Sequence, residues 1–210
     1  MPTYDIFAIS THPTSADIRN YRQTRLTALE TDPSSFLSTY EQEVALPAET
    51  WKERLSGSEK ATFVARPSTS SQNTAESEPF VGMVTVLPAR TFPLPLPVAC
   101  TDPSVAYLIV AMWIAPEHRR RGLGQDLLQA SLAWAAKDVS RDTSGAGDPE
   151  KQAEVFLFLA LDNAKGRGLY EKSGFDAVAV TTAPGGRGEI QWMRRWVDAS
   201  NTGRTPTAAA

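Results

Sequence analysis

Residues 105–125, VAYLIVAMWIAPEHRRRGLGQ, contain the stretch that decides the fold. Residues 105–114 are almost uninterrupted apolar sequence, which is typical of a central strand covered on both faces. A turn rich in arginine and glycine comes next, and a helix follows it. One face of that helix carries Leu123, Leu127, Leu128, Ser131, Leu132 and Ala135. The stretch therefore predicts a strand, a turn and a helix that pack as one unit.

The turn between strand and helix has the features of an anion site. The first N–H groups of a helix have no partner within the helix and lie at the positive end of its dipole. Gly122 and Gly124 let a pyrophosphate approach the backbone, and the arginines before them are suited to phosphate. The spacing fits neither a P-loop nor a dinucleotide-binding fingerprint, so another phosphate-bearing cofactor is indicated. The alternative is a plain turn with solvated arginines. The position of this turn between a buried strand and an amphipathic helix favours an anion site.

Composition limits the class of protein. A chain of 210 residues with a formal net charge of -3 is large enough to bury its own core, and it lacks the basic excess typical of nucleic-acid binding. Cys100 is the only cysteine and His12 and His118 are the only histidines, so we expect neither a disulfide nor a metal site. Residues 1–10 do not resemble a signal peptide, and no apolar run reaches the roughly 20 residues that cross a bilayer. We therefore expect a cytoplasmic protein with no nucleic-acid or membrane partner.

The remaining elements alternate between helix and strand. Thr14 and Asp17 predict a capping box that opens a helix ending near Pro33, and Pro47 predicts a short helix that buries Trp51. Strands are predicted at residues 61–65, 80–87, 155–161, 175–182 and 189–197. Loops are predicted at residues 66–79, 88–103 and 138–152. This order indicates a mixed α/β (α+β) class.

Two motifs together resemble a known family. Residues 114–124, IAPEHRRRGLG, resemble the acetyl-CoA signature of the GCN5-related N-acetyltransferases (GNAT), whose core is (Q/R)-x-x-G-x-(G/A). Residues 161–175, LDNAKGRGLYEKSGF, resemble a second motif that often ends L-Y-x-x-x-G-F. The resemblance is strong between residues 112 and 175 and weaker over the rest of residues 6–196.

The resemblance implies a fold and an activity. The fold is a mixed, mainly antiparallel twisted sheet flanked by helices, with two central parallel strands splayed to admit CoA. It would form one domain over residues 1–197, followed by a disordered tail at residues 198–210. The activity is direct transfer of an acetyl group from acetyl-CoA to a primary amine in a ternary complex, without a metal. The long loops favour a small-molecule acceptor, and the enzyme would be a monomer or homodimer.

The same resemblance implies roles for named residues. Backbone groups at Met112 and Ile114, on either side of Trp113, would pair with the pantetheine arm. Asn163 would bind that arm or simply cap a helix, and Tyr170 would protonate the departing thiolate or serve only as a core aromatic. The pyrophosphate would be held in the turn by Arg119, Arg120, Arg121, Gly122, Leu123, Gly124 and Gln125.

The general base is harder to place. Some family members carry a glutamate on the strand before the asparagine, but residues 155–161, VFLFLAL, contain no ionisable group. We hypothesise that Glu41 or Glu43, which follow the first helix, is the base. The alternative is that both are exposed acidic residues on a connecting segment. Aromatic residues that could line an acceptor pocket, or belong to the core, are Phe36, Tyr40, Trp51 and Trp113.

Two other functional classes stay open at this point. A CoA-binding sensor or interaction module that has lost catalysis fits the unassigned base. A nucleic-acid-bound regulator would use the three consecutive arginines, and binding that does not respond to salt would exclude it.

Overall fold

A computed structural model of the chain describes residues 3–68, 79–93, 95–97, 99–141 and 151–198. Over these residues the strands form one sheet in the order β1-β2-β3-β4-β5-β7-β6. The strands are β1 Tyr4–Ala8, β2 Ala61–Pro67, β3 Gly82–Pro88, β4 Ala106–Ile114, β5 Gln152–Ala160, β6 Asp176–Thr182 and β7 Glu189–Asp198. The α-helices are α1 Ser15–Thr31, α2 Tyr40–Val44, α3 Ala48–Leu55, α4 Leu123–Arg141 and α5 Ala164–Lys172. Short 3-10 turns lie at Pro33–Ser35, Ala89–Thr91, Pro103–Val105, Pro116–His118 and Pro184–Gly186.

The parallel pair β4 and β5 lies at the centre of an otherwise antiparallel sheet. These two strands pair only from Ala106 opposite Glu154 to Leu108 opposite Phe156. Beyond Leu108 the two strands separate, which confirms the splayed arrangement expected from the family resemblance.

A β-bulge bends β4 where it leaves β5. Met83 pairs with Trp113 and Thr85 pairs with Val110, so two residues of β4 face the single residue between Met83 and Thr85 on β3. Ala111, one of those two, has a φ of 55°, which is uncommon for a residue other than glycine. The bulge increases the local twist of β4, whose edge toward β5 is already open beyond Leu108.

The two faces of the sheet bury different helices. Along β3, Met83 packs in the cluster formed with α1 and α3, whereas Val84 packs in the cluster formed with α4. This alternation follows from the two-residue period of a strand. On the α4 side the core includes Leu127 and Leu128, which are fully buried.

Local signals in the sequence place α1 and α3 correctly. The N–H of Asp17 donates to Thr14 Oγ1 at 3.1 Å and the N–H of Thr14 donates to Asp17 Oδ2 at 2.9 Å, which completes the predicted capping box. Helix α1 ends at Thr31, before Pro33. Helix α3 begins after Pro47 and buries Trp51, as predicted.

Several boundaries differ from the sequence prediction. Strand β1 and helix α2 were not predicted, because an edge strand of 5 residues and a helix of 5 residues are too short to show a period. Helix α4 continues to Arg141, so a loop beginning at residue 138 is wrong; its apolar face continues as far as the buried Val139. Strand β5 begins at Gln152 because its pairing with β7 extends through polar residues. Most of the predicted loops 66–79 and 138–152, and the tail from residue 199, lie outside the described residues.

Candidate functional site

A cavity of about 1040 Å³ lies where β4 and β5 separate. Both sequence motifs contribute to its wall, together with residues of α1 and α3. The predicted cofactor-binding residues that line it are Met112, Trp113, Ile114, Arg119, Arg120, Gly122, Leu123, Gly124, Gln125, Asn163 and Tyr170. Arg121 is exposed instead and donates to the hydroxyl of Tyr4 at 3.3 Å.

The turn before α4 presents backbone donors to this cavity. The carbonyl of Gly122 accepts from the N–H groups of Gln125 and Asp126 at 2.8 and 3.1 Å, so it closes the first turn of the helix. Gly122 has a φ of 84° and Arg120 a φ of 63°, and these left-handed conformations turn the chain sharply into α4. The first N–H groups of α4 thus lie beside the cavity at the positive end of the helix dipole, where an anion is stabilised.

Arg119 ties the turn to the sheet and to the end of α1. Its Nε donates to the carbonyl of Ile114 at 2.9 Å, and its Nη2 forms an ion pair with Asp32. The indole N–H of Trp113 donates to the same carboxylate at 2.8 Å. Arg119 therefore fixes the turn against β4, and its guanidinium is only partly available to a phosphate.

Glycines in the wall of the cavity leave the backbone there without side chains. A Cβ on Gly124 would lie 3.3 Å from Leu169 Cδ2 and 3.6 Å from Met112 Cε, whereas a Cβ on Gly168 would meet no atom within 4 Å. Both glycines line the cavity, so the backbone there is accessible to a ligand. The wall can therefore lie close to a bound chain such as a pantetheine arm.

Asn163 caps α5. Its Oδ1 accepts from the N–H of Gly166 at 2.9 Å, and the residue also lines the cavity. A Cβ on Gly166 would lie 3.0 Å from Asn163 Nδ2, which accounts for glycine at a helical position. The capping alternative is thus observed, and it leaves the side chain at the cavity wall.

Tyr170 lies in the wall between the cavity and the core. Its side chain is only 9% exposed, and its ring packs edge-on against Phe175 with the centroids 6.0 Å apart. Burial raises the pKa of Tyr170 to about 12. The phenol therefore keeps its proton throughout the physiological pH range and is available as a hydrogen-bond donor.

Neither predicted carboxylate is well placed as a base. Glu43 lines the cavity but is 2% exposed, and its oxygens accept from Arg25 at 2.8 and 3.1 Å and from Arg54 at 2.6 Å. Burial acts to raise the pKa of Glu43, but the hydrogen bonds and charges of Arg25 and Arg54 outweigh it and lower that pKa. A carboxylate held in this way is a weak proton acceptor. Glu41 is exposed and does not line the cavity.

The four predicted aromatic residues divide between cavity and core. Phe36 and Trp113 line the cavity. Trp51 is 1% exposed and packs edge-on against Tyr21, so it belongs to the core, and Tyr40 packs at the edge of the same cluster.

Residues that sequence reasoning missed lie at one end of the cavity. Tyr21 and Arg25 come from α1, Arg54 comes from α3, and Lys60 precedes β2. Their positions in the sequence follow no motif, and only the packing of α1 and α3 on the sheet brings them together. Among the described residues no group of three or more potential ligands is arranged to hold a metal ion, and no helix is both long and apolar enough to cross a membrane.

Comparison with known proteins supports the same family. Residues 79–177 match the family model for the acetyltransferase (GNAT) domain. A mycothiol acetyltransferase from Mycobacterium avium is 31% identical over 75 residues, or 36% of this chain and 22% of the relative. The chain thus aligns with only about a fifth of the length of the curated relatives it matches.

Solved structures show the same fold at low sequence identity. Arabidopsis thaliana NAA60 in complex with a bisubstrate analogue is 14% identical, with a TM-score of 0.61 over 93% of this chain and 100% of that one. An acetyltransferase of the GNAT family from Streptococcus pneumoniae is 16% identical, with a TM-score of 0.60 over 93% and 99%. Spermidine N-acetyltransferase from Vibrio cholerae in complex with CoA and spermine is 14% identical, with a TM-score of 0.55 over 92% and 95%. With its two motifs on either side of splayed parallel strands, the chain has the fold of GNAT acetyltransferases, and residues 79–177 carry the match to the GNAT domain.

Proposed function

We propose that this chain transfers an acetyl group from acetyl-CoA to the primary amine of a small molecule, within a single domain over residues 1–197. The observation that carries the proposal is the shared cavity: Gly124 of the first motif and Tyr170 of the second line one space beside the open edge of β4. The names of the similar proteins, which include mycothiol and spermidine acetyltransferases, agree with this reaction class.

The residues at the turn fit the phosphates and the arm of acetyl-CoA. The first N–H groups of α4 and the exposed Arg120 would hold the pyrophosphate. The unpaired edge of β4 near Met112 would pair with the amide groups of the pantetheine arm, as an added strand does. Gly124 and Gly168 leave room for this approach. When bound, acetyl-CoA supplies a thioester that a neutral amine can attack directly.

Tyr170 would assist departure of the thiolate. An alkyl thiol has a pKa of about 8.5, and burial raises the pKa of Tyr170 to about 12. The phenol is therefore a weaker acid than the thiol, and its main contribution is a hydrogen bond to sulfur as negative charge develops there. We assign Tyr170 this donor role.

Proton removal from the amine does not need a dedicated carboxylate. A free alkyl ammonium has a pKa of about 10. Loss of hydration in the cavity disfavours the charged form of the amine, which lowers the pKa of its ammonium. A larger fraction of the amine is then neutral, and water can accept the proton.

Thermal unfolding in the presence of ligands tests the cofactor site. Acetyl-CoA and CoA should each raise the melting temperature, and ATP should have little effect, because only the first two carry a pantetheine arm. Gly124→Trp should abolish the shift, since a Cβ at that position already lies 3.3 Å from Leu169. Lys137→Trp, at an exposed position near the other end of α4, is the matched control and should keep the shift. A folded wild-type protein that shows no shift at saturating acetyl-CoA would refute the proposal.

A CoA-binding sensor without catalysis is a second candidate. It is favoured by the ion pairs that hold Glu43 and by the exposed position of Glu41 outside the cavity. Turnover with a broad panel of amines separates the two candidates, because a sensor binds acetyl-CoA without releasing free thiol.

A further inference from the structure

The end of the cavity formed by α1 and α3 carries more positive than negative charge. Arg25, Arg54 and Lys60 line it there, and Glu43 is the carboxylate among them. Asp32, the other carboxylate in the lining, is held by Arg119 and by the indole of Trp113 next to the glycine turn. It therefore does not offset the cations at this end.

The single negative charge of Glu43 does not balance the positive charges that surround it. Its Oε1 accepts from Arg25, and its Oε2 accepts from both Arg25 and Arg54. Arg25 is 7% exposed, and its Nη1 is buried without a hydrogen-bond partner among the described residues. Burial lowers the pKa of Lys60, the charge of Arg54 lowers it further, and the charge of Glu53 opposes this lowering in part. One carboxylate among three cations, with Arg25 Nη1 left without a partner, leaves positive charge at this end of the cavity that Glu43 does not balance.

Arg54 and Lys60 are the accessible members of this group. The Arg54 side chain is 33% exposed and uses Nη1 for Glu43, so other N–H donors of its guanidinium fork remain. Lys60 is half-buried and donates one hydrogen bond, to the carbonyl of Glu53 at 2.7 Å, which leaves two donors on its ammonium. A carboxylate is a group that such a pair binds well.

We propose that the acceptor is a small amine that also carries a carboxylate, and that Arg54 and Lys60 bind this carboxylate while the amine faces β4. The inference rests on the proposed acetyl transfer and names the substrate class of that reaction. Diamines and polyamines are disfavoured by the same charge, since their second ammonium would face two cations. A bound carboxylate also supplies the negative charge that the end of the cavity lacks.

Matched substrates test the proposal. Aminocarboxylates of two to six carbons are compared with n-alkylamines and α,ω-diamines of the same chain length, and kcat/KM is measured for each. The wild-type enzyme should prefer the aminocarboxylate. Arg54→Gln and Lys60→Gln should each lower kcat/KM for the aminocarboxylate by roughly 10- to 100-fold, the size expected for loss of a charged hydrogen bond. The same variants should change kcat/KM for the alkylamine little.

Lys52→Gln is the matched control. Lys52 lies on α3 with Arg54 but is exposed, pairs with Glu49 and does not line the cavity, so this variant should behave as wild type with every substrate. Arg54→Gln removes a partner of Glu43 and can weaken the fold for that reason. In that case Lys60→Gln still tests the proposal. The proposal is overturned if the wild-type enzyme prefers an alkylamine or a diamine, or if the two variants lower kcat/KM equally for all substrates.

A binding measurement separates failure of this inference from failure of the transferase function. If no amine is acetylated, the proposed function is wrong, and the carboxylate site is tested on the CoA-saturated protein by thermal unfolding. An aminocarboxylate should then raise the melting temperature of the wild type but not that of Arg54→Gln or Lys60→Gln. The absence of a shift with every aminocarboxylate would overturn the site as well.

Discussion

At the scale of single residues, burial sets the protonation state of Tyr170. The side chain is 9% exposed, and loss of hydration disfavours the phenolate, which raises the pKa of Tyr170 to about 12. The hydroxyl therefore stays protonated between pH 7 and pH 10. Sequence analysis predicted Tyr170 from the motif L-Y-x-x-x-G-F, but it could not give its burial, which depends on the packing of α5 against Phe175.

Removal of this hydroxyl should slow the reaction. We expect Tyr170→Phe to lower kcat by roughly 100-fold, the lower limit for loss of a hydrogen-bond donor to developing negative charge, with little change in the affinity for acetyl-CoA. Because the pKa is raised, the wild-type rate should show no decline that depends on Tyr170 between pH 7 and pH 10, and steady-state rates across this range measure it. Tyr107→Phe is the control, since its buried hydroxyl bonds Asp138 outside the cavity. A Tyr170→Phe enzyme with wild-type kcat would exclude the donor role.

At the scale of elements, one buried carboxylate joins α1, α2 and α3. Glu43 on α2 accepts from Arg25 on α1 and Arg54 on α3. Sequence analysis predicted α1 and α3, since a capping box and a proline mark their starts. It did not predict α2 or these ion pairs, because charges 11 and 18 residues apart carry no periodic signal.

Loss of this carboxylate should destabilise the fold in a way that depends on pH. Glu43→Gln should lower the free energy of unfolding by about 3 kcal/mol near pH 7, because it leaves Arg25 buried without its counter-charge. The pKa of Glu43 is lowered in the folded state, so its contribution is complete above the unfolded value near 4.5 and is lost as the pH falls through the folded value. Urea unfolding at pH 7 and at lower pH should therefore show the two proteins converging in acid.

The exposed pair of Glu49 and Lys52 provides the comparison for that measurement. Glu49→Gln should change the free energy of unfolding by less than about 1 kcal/mol at any pH, as is usual for surface ion pairs. The stabilising role of Glu43 would be contradicted if Glu43→Gln lowered the free energy of unfolding at neutral pH by no more than Glu49→Gln does. It would also be contradicted if the loss were as large in acid as at pH 7, because the buried ion pairs would then not hold these helices together.

At the scale of the whole molecule, the bulge in β4 and the early end of its pairing with β5 create the space in which both motifs meet. The sequence predicted the strand, the glycine turn and the second motif, since each is a local pattern. It did not predict the cationic end of the cavity, because Arg25 and Lys60 reach it only through the packing of elements on one face of the sheet. The residues of the proposed cofactor half were thus accessible from sequence, whereas those of the proposed acceptor half required the structure.

The central claim is that this cavity performs acetyl transfer, and release of free CoA thiol from acetyl-CoA in the presence of an amine panel tests it most directly. The claim predicts thiol release that depends on the amine, is lost in Gly124→Trp and is retained in Lys137→Trp. Binding of acetyl-CoA by folded wild-type protein without thiol release that depends on any amine would contradict it and would favour the CoA-binding sensor.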